Sequence, residues 1–255
     1  GIFRGIGNSR TPFLFVLIAC LVNVVLDLLF VGVFGMNASG AALATIIAQA
    51  VSVVFSLFYL RSHRLPFSIH GHSLRNNRDI RKILQVGAPI ALQDFLSNMS
   101  FLIITAIINT LGVVASAGVG ISEKLFVFLS IVPMSFMSAL SSFVAQNMGA
   151  GNLQRARRSL FLAQRISFLF GALMFSLTFF FGRKLAVLFT TDPEVITAAA
   201  LYMRGSSFEY LMIAITFCFL GYFNGREHTT FVMAQGLLTS FLLRIPLSYF
   251  LSRLP

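Results

Sequence analysis

Of the eight acidic side chains in the 255 residues, four stand inside long apolar stretches, where charge is costly and an ionisable group is a functional candidate by default: Asp27, Asp94, Glu123 and Glu209. Asn23 lies four residues before Asp27, on the same face of a helix. Thr45 lies six residues into the next apolar run. With both runs helical and joined by a short turn, Asp27 is roughly 10 Å and Thr45 roughly 9 Å below one surface, at 1.5 Å per residue. Three oxygen-bearing side chains at one depth suit a hard cation such as sodium, and equally a carboxylate that takes up a proton on burial. The plainer alternative is that Asn23 and Asp27 hydrogen-bond a neighbouring helix. A hydroxyl or amide would serve that purpose at a lower desolvation cost than a carboxylate.

Glu209, thirteen residues into its run, and Asp94, five residues after Pro89 and roughly 12 Å deep, are further candidates for ion coupling. Arg244, midway along the last run, is the base with which either would form a purely structural pair. Glu123 beside Lys124 reads as an interfacial pair that snorkels. His70-Gly71-His72 has too few ligands for a metal centre. With no His-Glu-x-x-His, Gly-x-Ser-x-Gly or Gly-x-x-x-x-Gly-Lys, neither an enzyme nor an ATP-driven machine has a motif to rest on. No metal and no organic cofactor is expected, and an ion gradient must supply any driving force.

The elements that hold these groups are set by hydropathy. The chain is 57% hydrophobic and 11% charged, with a mean hydropathy of +0.86. That is too few charges to solvate an ordinary globular surface. Seven apolar runs, at 12–34, 39–60, 86–109, 119–146, 160–188, 196–223 and 229–251, are each long enough to cross the hydrocarbon as a helix. The alternating strands of a barrel are absent from the pattern. Cys20 and Cys218 fall inside spans and read as packing residues. Pro89, Pro133 and Pro246 are expected to kink their helices. Most of the 29 phenylalanines and nine methionines must face lipid, although some could line an adaptable pocket.

The net charge of +11 follows topology. Thirteen of the 19 Lys and Arg lie at 4–10, 61–82, 155–165 and 226, whereas the connections 35–38, 110–118 and 189–195 have none. This positive-inside pattern places the basic segments 61–85 and 147–159 in the cytoplasm and excludes nucleic acid as the reason for the charge. An inner-membrane, multi-pass protein is expected, with lipid and a small organic compound as its partners and a monomeric state. A repeat adds organisation: Gly1-Ile2-Phe3-Arg4-Gly5 returns as Gly221-Tyr222-Phe223-Asn224-Gly225, an offset of 220 residues that lays span 12–34 on span 229–251. Because Gly1 is not a methionine and four spans separate the linker from Gly221, four spans are expected ahead of Gly1 and one after Pro255. Two six-helix halves of about 450 residues in all would then share one orientation around a central cavity.

The run Arg4-Gly5-Ile6-Gly7-Asn8-Ser9-Arg10-Thr11-Pro12, then Asn23 to Asp27, then Gly40-Ala41-Ala42-Leu43-Ala44-Thr45 resembles helices five and six of the multidrug and toxic compound extrusion transporters. Gly87-Ala88-Pro89 is similar to the opening of their helix seven, and Gln146 to Asn152 with Arg155-Ala156-Arg157-Arg158 to the loop between helices eight and nine. The resemblance covers nearly the whole chain. It implies an all-α, polytopic helical bundle of two six-helix lobes, seven of whose helices are here: 1–60 as the end of the N-terminal lobe, 61–85 as a cytoplasmic linker and 86–255 as helices seven to eleven. It implies a secondary antiporter that exports organic, cationic compounds in exchange for sodium or protons. It also assigns Asn23, Asp27 and Thr45 to the cation site of the N-terminal lobe, and compares Glu209 with a helix-ten carboxylate used by other branches. The alternatives are a lipid-linked precursor flippase, against which a single mid-span arginine speaks, and a membrane scaffold, which would have no use for buried acids.

Overall fold

Apolar runs of this length in hydrocarbon must satisfy every backbone N–H and C=O internally, which leaves the helix as the spanning form. The computed structural model describes residues 2–5, 7–62 and 78–253, and among them it contains helices and no strand. In chain order these are α1 (Ile2–Gly5), α2 (Arg10–Asp27), a π-helical segment π1 (Leu28–Val33), α3 (Asn37–Ser62), α4 (Arg78–Asn109), α5 (Val113–Leu129), α6 (Ile131–Gly149), α7 (Leu153–Val187), α8 (Pro193–Gly225), α9 (Thr229–Leu237), a second π segment π2 (Leu238–Arg244) and α10 (Ile245–Leu251). They form seven stretches long and apolar enough to cross a membrane, one for each run expected from hydropathy. The helices overrun the apolar runs because charged end turns remain helical. Residues 78–85, assigned above to the linker, are thus the first two turns of α4.

Proline explains one of the interruptions. The fourth span divides at Ser130, where the ring of Pro133 denies Leu129, four residues back, its helical partner. Pro246 follows directly on π2 and has Leu242, within that segment, as its own i−4 residue. Pro89 lies inside α4 without ending it, so only two of the three prolines coincide with a change of helix.

The 220-residue repeat extends to the backbone. Asn8 N–H donates to Phe3 C=O at 2.8 Å and His228 N–H to Phe223 C=O at 3.0 Å; Gly7 N–H donates to Arg4 C=O and Glu227 N–H to Asn224 C=O, each at 3.1 Å. Gly7 has φ 84° and Glu227 φ 65°, so both copies of the turn need a left-handed residue after the helix. The second copy fills that place with Glu227, whose carboxylate reaches Lys82 Nζ at 2.9 Å on the exposed surface.

The chain divides into two compact units, Gly1–Asn77 and Arg78–Pro255. In the first, the stripe Gly40, Ala44, Ala48 of α3 is buried and lets α2 and π1 approach closely. Ser52, one turn on, donates to Phe15 C=O at 3.1 Å. Phe3, Phe15, Phe55 and Tyr59 close one end of this unit in edge-on contacts with centroids 5.6 to 6.0 Å apart.

In the second unit α8 is central, with α5, α6 and α7 packed round it. Its buried residues, among them Ala199, Met203, Ser207, Tyr210, Ala214, Cys218, Gly221 and Gly225, recur every three or four positions. Glycines set the approach. A Cβ on Gly221 would lie 2.5 Å from Met137 O, and one on Gly225 2.6 Å from Ser141 O. Gly118 of α5 and Gly171 of α7 meet the α8 backbone as closely, at 2.8 Å each. Two apolar clusters result, Leu140, Val144, Leu160 and Tyr222 towards one end and Leu125, Ile196 and Met203 towards the other. Large apolar side chains such as Phe13, Val25, Phe58, Leu169 and Phe180 point outward over more than half of their surface, as lipid-facing residues do.

Candidate functional site

In the first unit, the short hairpin through Gly35 (φ 64°) and Asn37 (φ 47°) turns the chain from π1 into α3 and brings Thr45 level with Asn23. The Asn23 side-chain amide donates to Thr45 Oγ1 at 3.4 Å, a long bond, while the Thr45 hydroxyl donates to Ala41 C=O at 3.0 Å. Asp27, one turn beyond Asn23, is the last residue of α2. From there the helix widens into π1, closed by Phe34 N–H to Leu29 C=O at 2.9 Å. A single π turn inside a transmembrane helix is a common device at functional sites, because it re-aims the groups around it. One carboxylate oxygen of Asp27, Oδ1, is buried and has no hydrogen-bond partner among the described residues.

An orphaned carboxylate oxygen is unfavourable in a low-dielectric setting unless positive charge accompanies it. A proton would serve, held on Asp27 itself. So would sodium, with the amide oxygen of Asn23 and the hydroxyl of Thr45 as neutral ligands beside the carboxylate. Thus the residue types and the unpaired oxygen fit a monovalent cation.

The second unit contains a partly open cavity of about 30 Å³. A single water needs only about 10–15 Å³ on this measure, so the space admits one or two waters or an ion and no organic compound. Glu209 and Tyr210 of α8 line it, together with Tyr202 and Ser206, two turns and one turn earlier on the same helix face. Glu123 and Phe126 of α5 line it as well, beside Ser122, whose buried hydroxyl donates to Gly118 C=O at 2.9 Å and Ala199 C=O at 3.4 Å. Phe101 of α4 and Arg244 at the end of π2 complete the wall. The Arg244 guanidinium lies over the Phe101 ring, 4.2 Å from its centroid.

Three sequence-based expectations change here. Neither Glu209 nor Asp94 forms an ion pair with Arg244 among the described residues; Glu209 shares its cavity, near enough for their charges to interact. Asp94 is exposed on α4 and takes no part in the cavity lining. Glu123 is half-buried and belongs to the cavity, while Lys124 points away and is exposed. Adjacent residues on a helix diverge by about 100°, so sequence neighbours do not pair. Tyr202 and Ser206, spaced from Glu209 and Tyr210 at helical intervals, were the unused signal. Arg244 is also not the single arginine inside a span, for Arg204, eleven residues into α8, stacks over Phe179 at 4.9 Å. His70 and His72 lie outside the described residues, and no group of three metal-ligating side chains occurs among the described ones.

Seven hydropathic spans and small-residue packing between helices define a polytopic α-helical membrane protein. Residues 89–250 match the family model MatE, and the chain belongs to that family of transporters. It is 28% identical over 246 residues to a probable multidrug resistance protein, YpnP, of Bacillus subtilis, and 28% identical over 250 residues to an FAD transporter of Shewanella oneidensis. Each alignment takes in 96% of this chain and 55% of the relative, so the chain spans about half the length of the curated relatives it matches. Among solved structures, a MOP superfamily transporter from Pyrococcus furiosus superposes with a TM-score of 0.91 at 19% identity, over 99% of this chain and 57% of that one. The Vibrio cholerae MATE transporter VcmN in its bent form gives 0.85 at 20% identity, over 98% and 57%. The fold and the membrane setting are those of this family, whose members are transporters and not enzymes.

Proposed function

We propose that the protein is a monomeric secondary antiporter of the inner membrane that exports organic, cationic compounds in exchange for sodium or protons. Residues 1–60 belong to its N-terminal lobe and residues 86–255 to its C-terminal lobe, with the basic segments 61–85 and 147–159 on the cytoplasmic side. The observation that carries the reading is the buried Oδ1 of Asp27, without a partner among the described residues and one helical turn from an Asn23–Thr45 contact. An antiporter needs a group whose occupancy by a cation is incompatible with the substrate-bound state. Asp27 meets that need, Asn23 and Thr45 supply neutral oxygens, and Glu209 is the corresponding charge in the second unit. Multidrug proteins among the relatives support an organic cargo.

A second cargo class has its own support. Arg204 and Arg244 both lie inside spans on aromatic faces, an arrangement that attracts anionic aromatic compounds, and one relative is an FAD transporter. Reconstitution of the complete polypeptide bearing this chain into vesicles separates these readings. Efflux of a cationic dye should follow an imposed sodium or pH gradient and collapse with it. Gradient-driven movement of a flavin dinucleotide without dye efflux would establish the second cargo class, and movement of neither would end the antiporter reading.

A further inference from the structure

The cavity of the second unit holds two carboxylates, Glu123 and Glu209, and one guanidinium, Arg244. With all three charged, the set carries one negative charge in excess. The cavity these groups line, about 30 Å³, has room for one or two waters or a small ion, so an ion and the guanidinium would compete for the same carboxylates. Yet Arg244 is half-buried against Phe101, 4.2 Å from the ring centroid, and makes no ion pair with either acid among the described residues. Stacking on an aromatic ring is worth about 0.5–2 kcal/mol, less than a partly buried charge loses when it is left uncompensated. A position between Glu123 and Glu209 would compensate the guanidinium better than the ring does.

Backbone structure supplies a means of moving between the two positions. Arg244 is the last residue of π2, and Ile245 and Pro246 open α10 immediately afterwards. Changing a π turn to an α turn shifts the hydrogen-bond register by one residue and re-aims the side chain at its end. Pro246, which has no N–H to donate, lowers the cost of such a change at this point.

We propose that Arg244 is a tethered cation that competes with the coupling ion for Glu123 and Glu209. With an ion on the carboxylates, the guanidinium rests on Phe101; without one, it swings between the acids and neutralises them. The consequence is functional. An emptied cavity carrying two bare carboxylates would resist the conformational change that returns it to the other side, and the swing of Arg244 removes that barrier. Among the described residues the ionisable groups facing the guanidinium are Glu123 from α5 and Tyr202, Glu209 and Tyr210 from α8, and α4 contributes Phe101 to this wall. The inference deepens the antiport reading and rests on it for its physiological meaning.

Two measurements on the complete polypeptide decide the matter. 4-Fluorophenylalanine placed at position 101 reports by fluorine NMR whether a guanidinium covers the ring. Titration with sodium, and separately with acid, should shift its signal in the otherwise wild-type protein and leave it unmoved in Glu123→Gln/Glu209→Gln. In vesicles, Arg244→Gln should lower the ion concentration for half-maximal efflux by about tenfold, the effect of removing an internal competitor that is bound about 90% of the time. Its maximal rate should fall as well. Arg244→Lys, which retains the charge, should stay within about threefold of wild type for half-saturation. A fluorine signal indifferent to both ions overturns the proposal even if Arg244→Gln misfolds. So does a well-inserted Arg244→Gln with an unchanged half-saturation. Absence of ion-driven efflux from the wild type would instead remove the antiport reading, and the fluorine titration, which needs no transport, would still judge Arg244.

Discussion

Asp27 stands where α2 gives way to π1, with one oxygen buried and unpartnered among the described residues. Asn is nearly isosteric, so Asp27→Asn should reach the membrane in normal amounts while gradient-driven efflux falls by at least about tenfold, a loss of about 1.4 kcal/mol. Immunoblotting of membranes alongside dye efflux checks both halves, and wild-type efflux from a well-expressed variant would transfer the coupling role to Glu209. Thr45→Ala removes a neutral ligand whose bond to Asn23 is already long at 3.4 Å. A net loss near or below about 1 kcal/mol is expected, seen as a rise of about two- to fivefold in the ion concentration for half-maximal efflux. Asn23, Asp27 and Thr45 were legible in the sequence because a polar side chain inside an apolar span is conspicuous. Glu123 was misread for the opposite reason. Lys124 stands beside it in the chain, and only the helix geometry of α5 separates the two.

At the scale of elements, glycine contacts fix how closely the helices of the second unit pack, since lipid offers apolar surfaces no preference for one another. Gly221 admits no Cβ without displacing the Met137 backbone of α6, whereas Gly205, on the same helix, has open space around it. Gly221→Ala should therefore cost about 1–3 kcal/mol through forced separation of α6 and α8. Gly205→Ala should be neutral or slightly stabilising through helix propensity. Thermal unfolding of the two variants in detergent, followed by circular dichroism, distinguishes them; equal midpoints would show that the α6–α8 approach is not tight. The π segments were not legible, because a shift from i+4 to i+5 bonding leaves no mark on hydropathy. The break at Ser130 was better signalled, through Pro133.

For the whole molecule, the alternation of basic and uncharged connections sets the proposed orientation. A cysteine at Gln154, in the exposed start of α7, should react with a membrane-impermeant maleimide only from the cytoplasmic side. One at Asn37, in the exposed turn after π1, should react only from outside. Labelling of both positions from one side would overturn the map. Arg183 and Lys184 make this a stringent test, for they stand near the end of α7 that the map places outside, where cations also complement the helix dipole.

Sequence alone marked this chain as a seven-span helical membrane protein that resembles the multidrug and toxic compound extrusion transporters, with candidate coupling residues at depths counted from the helix rise. Hydropathy is a sum over local residues, and the bilayer converts each sufficiently long apolar run into a helix because no other backbone form satisfies its own hydrogen bonds there. Depth along a helix follows from counting residues at a fixed rise. Rotation about the helix axis follows from nothing local. Which polar side chains share a space depends on the faces that neighbouring helices bury, and here those faces are chosen by contacts such as Gly118 and Gly171 against α8 and by the register of π2. Only the tertiary structure could therefore take Glu123 from Lys124 and set it in one cavity with Glu209 and Arg244.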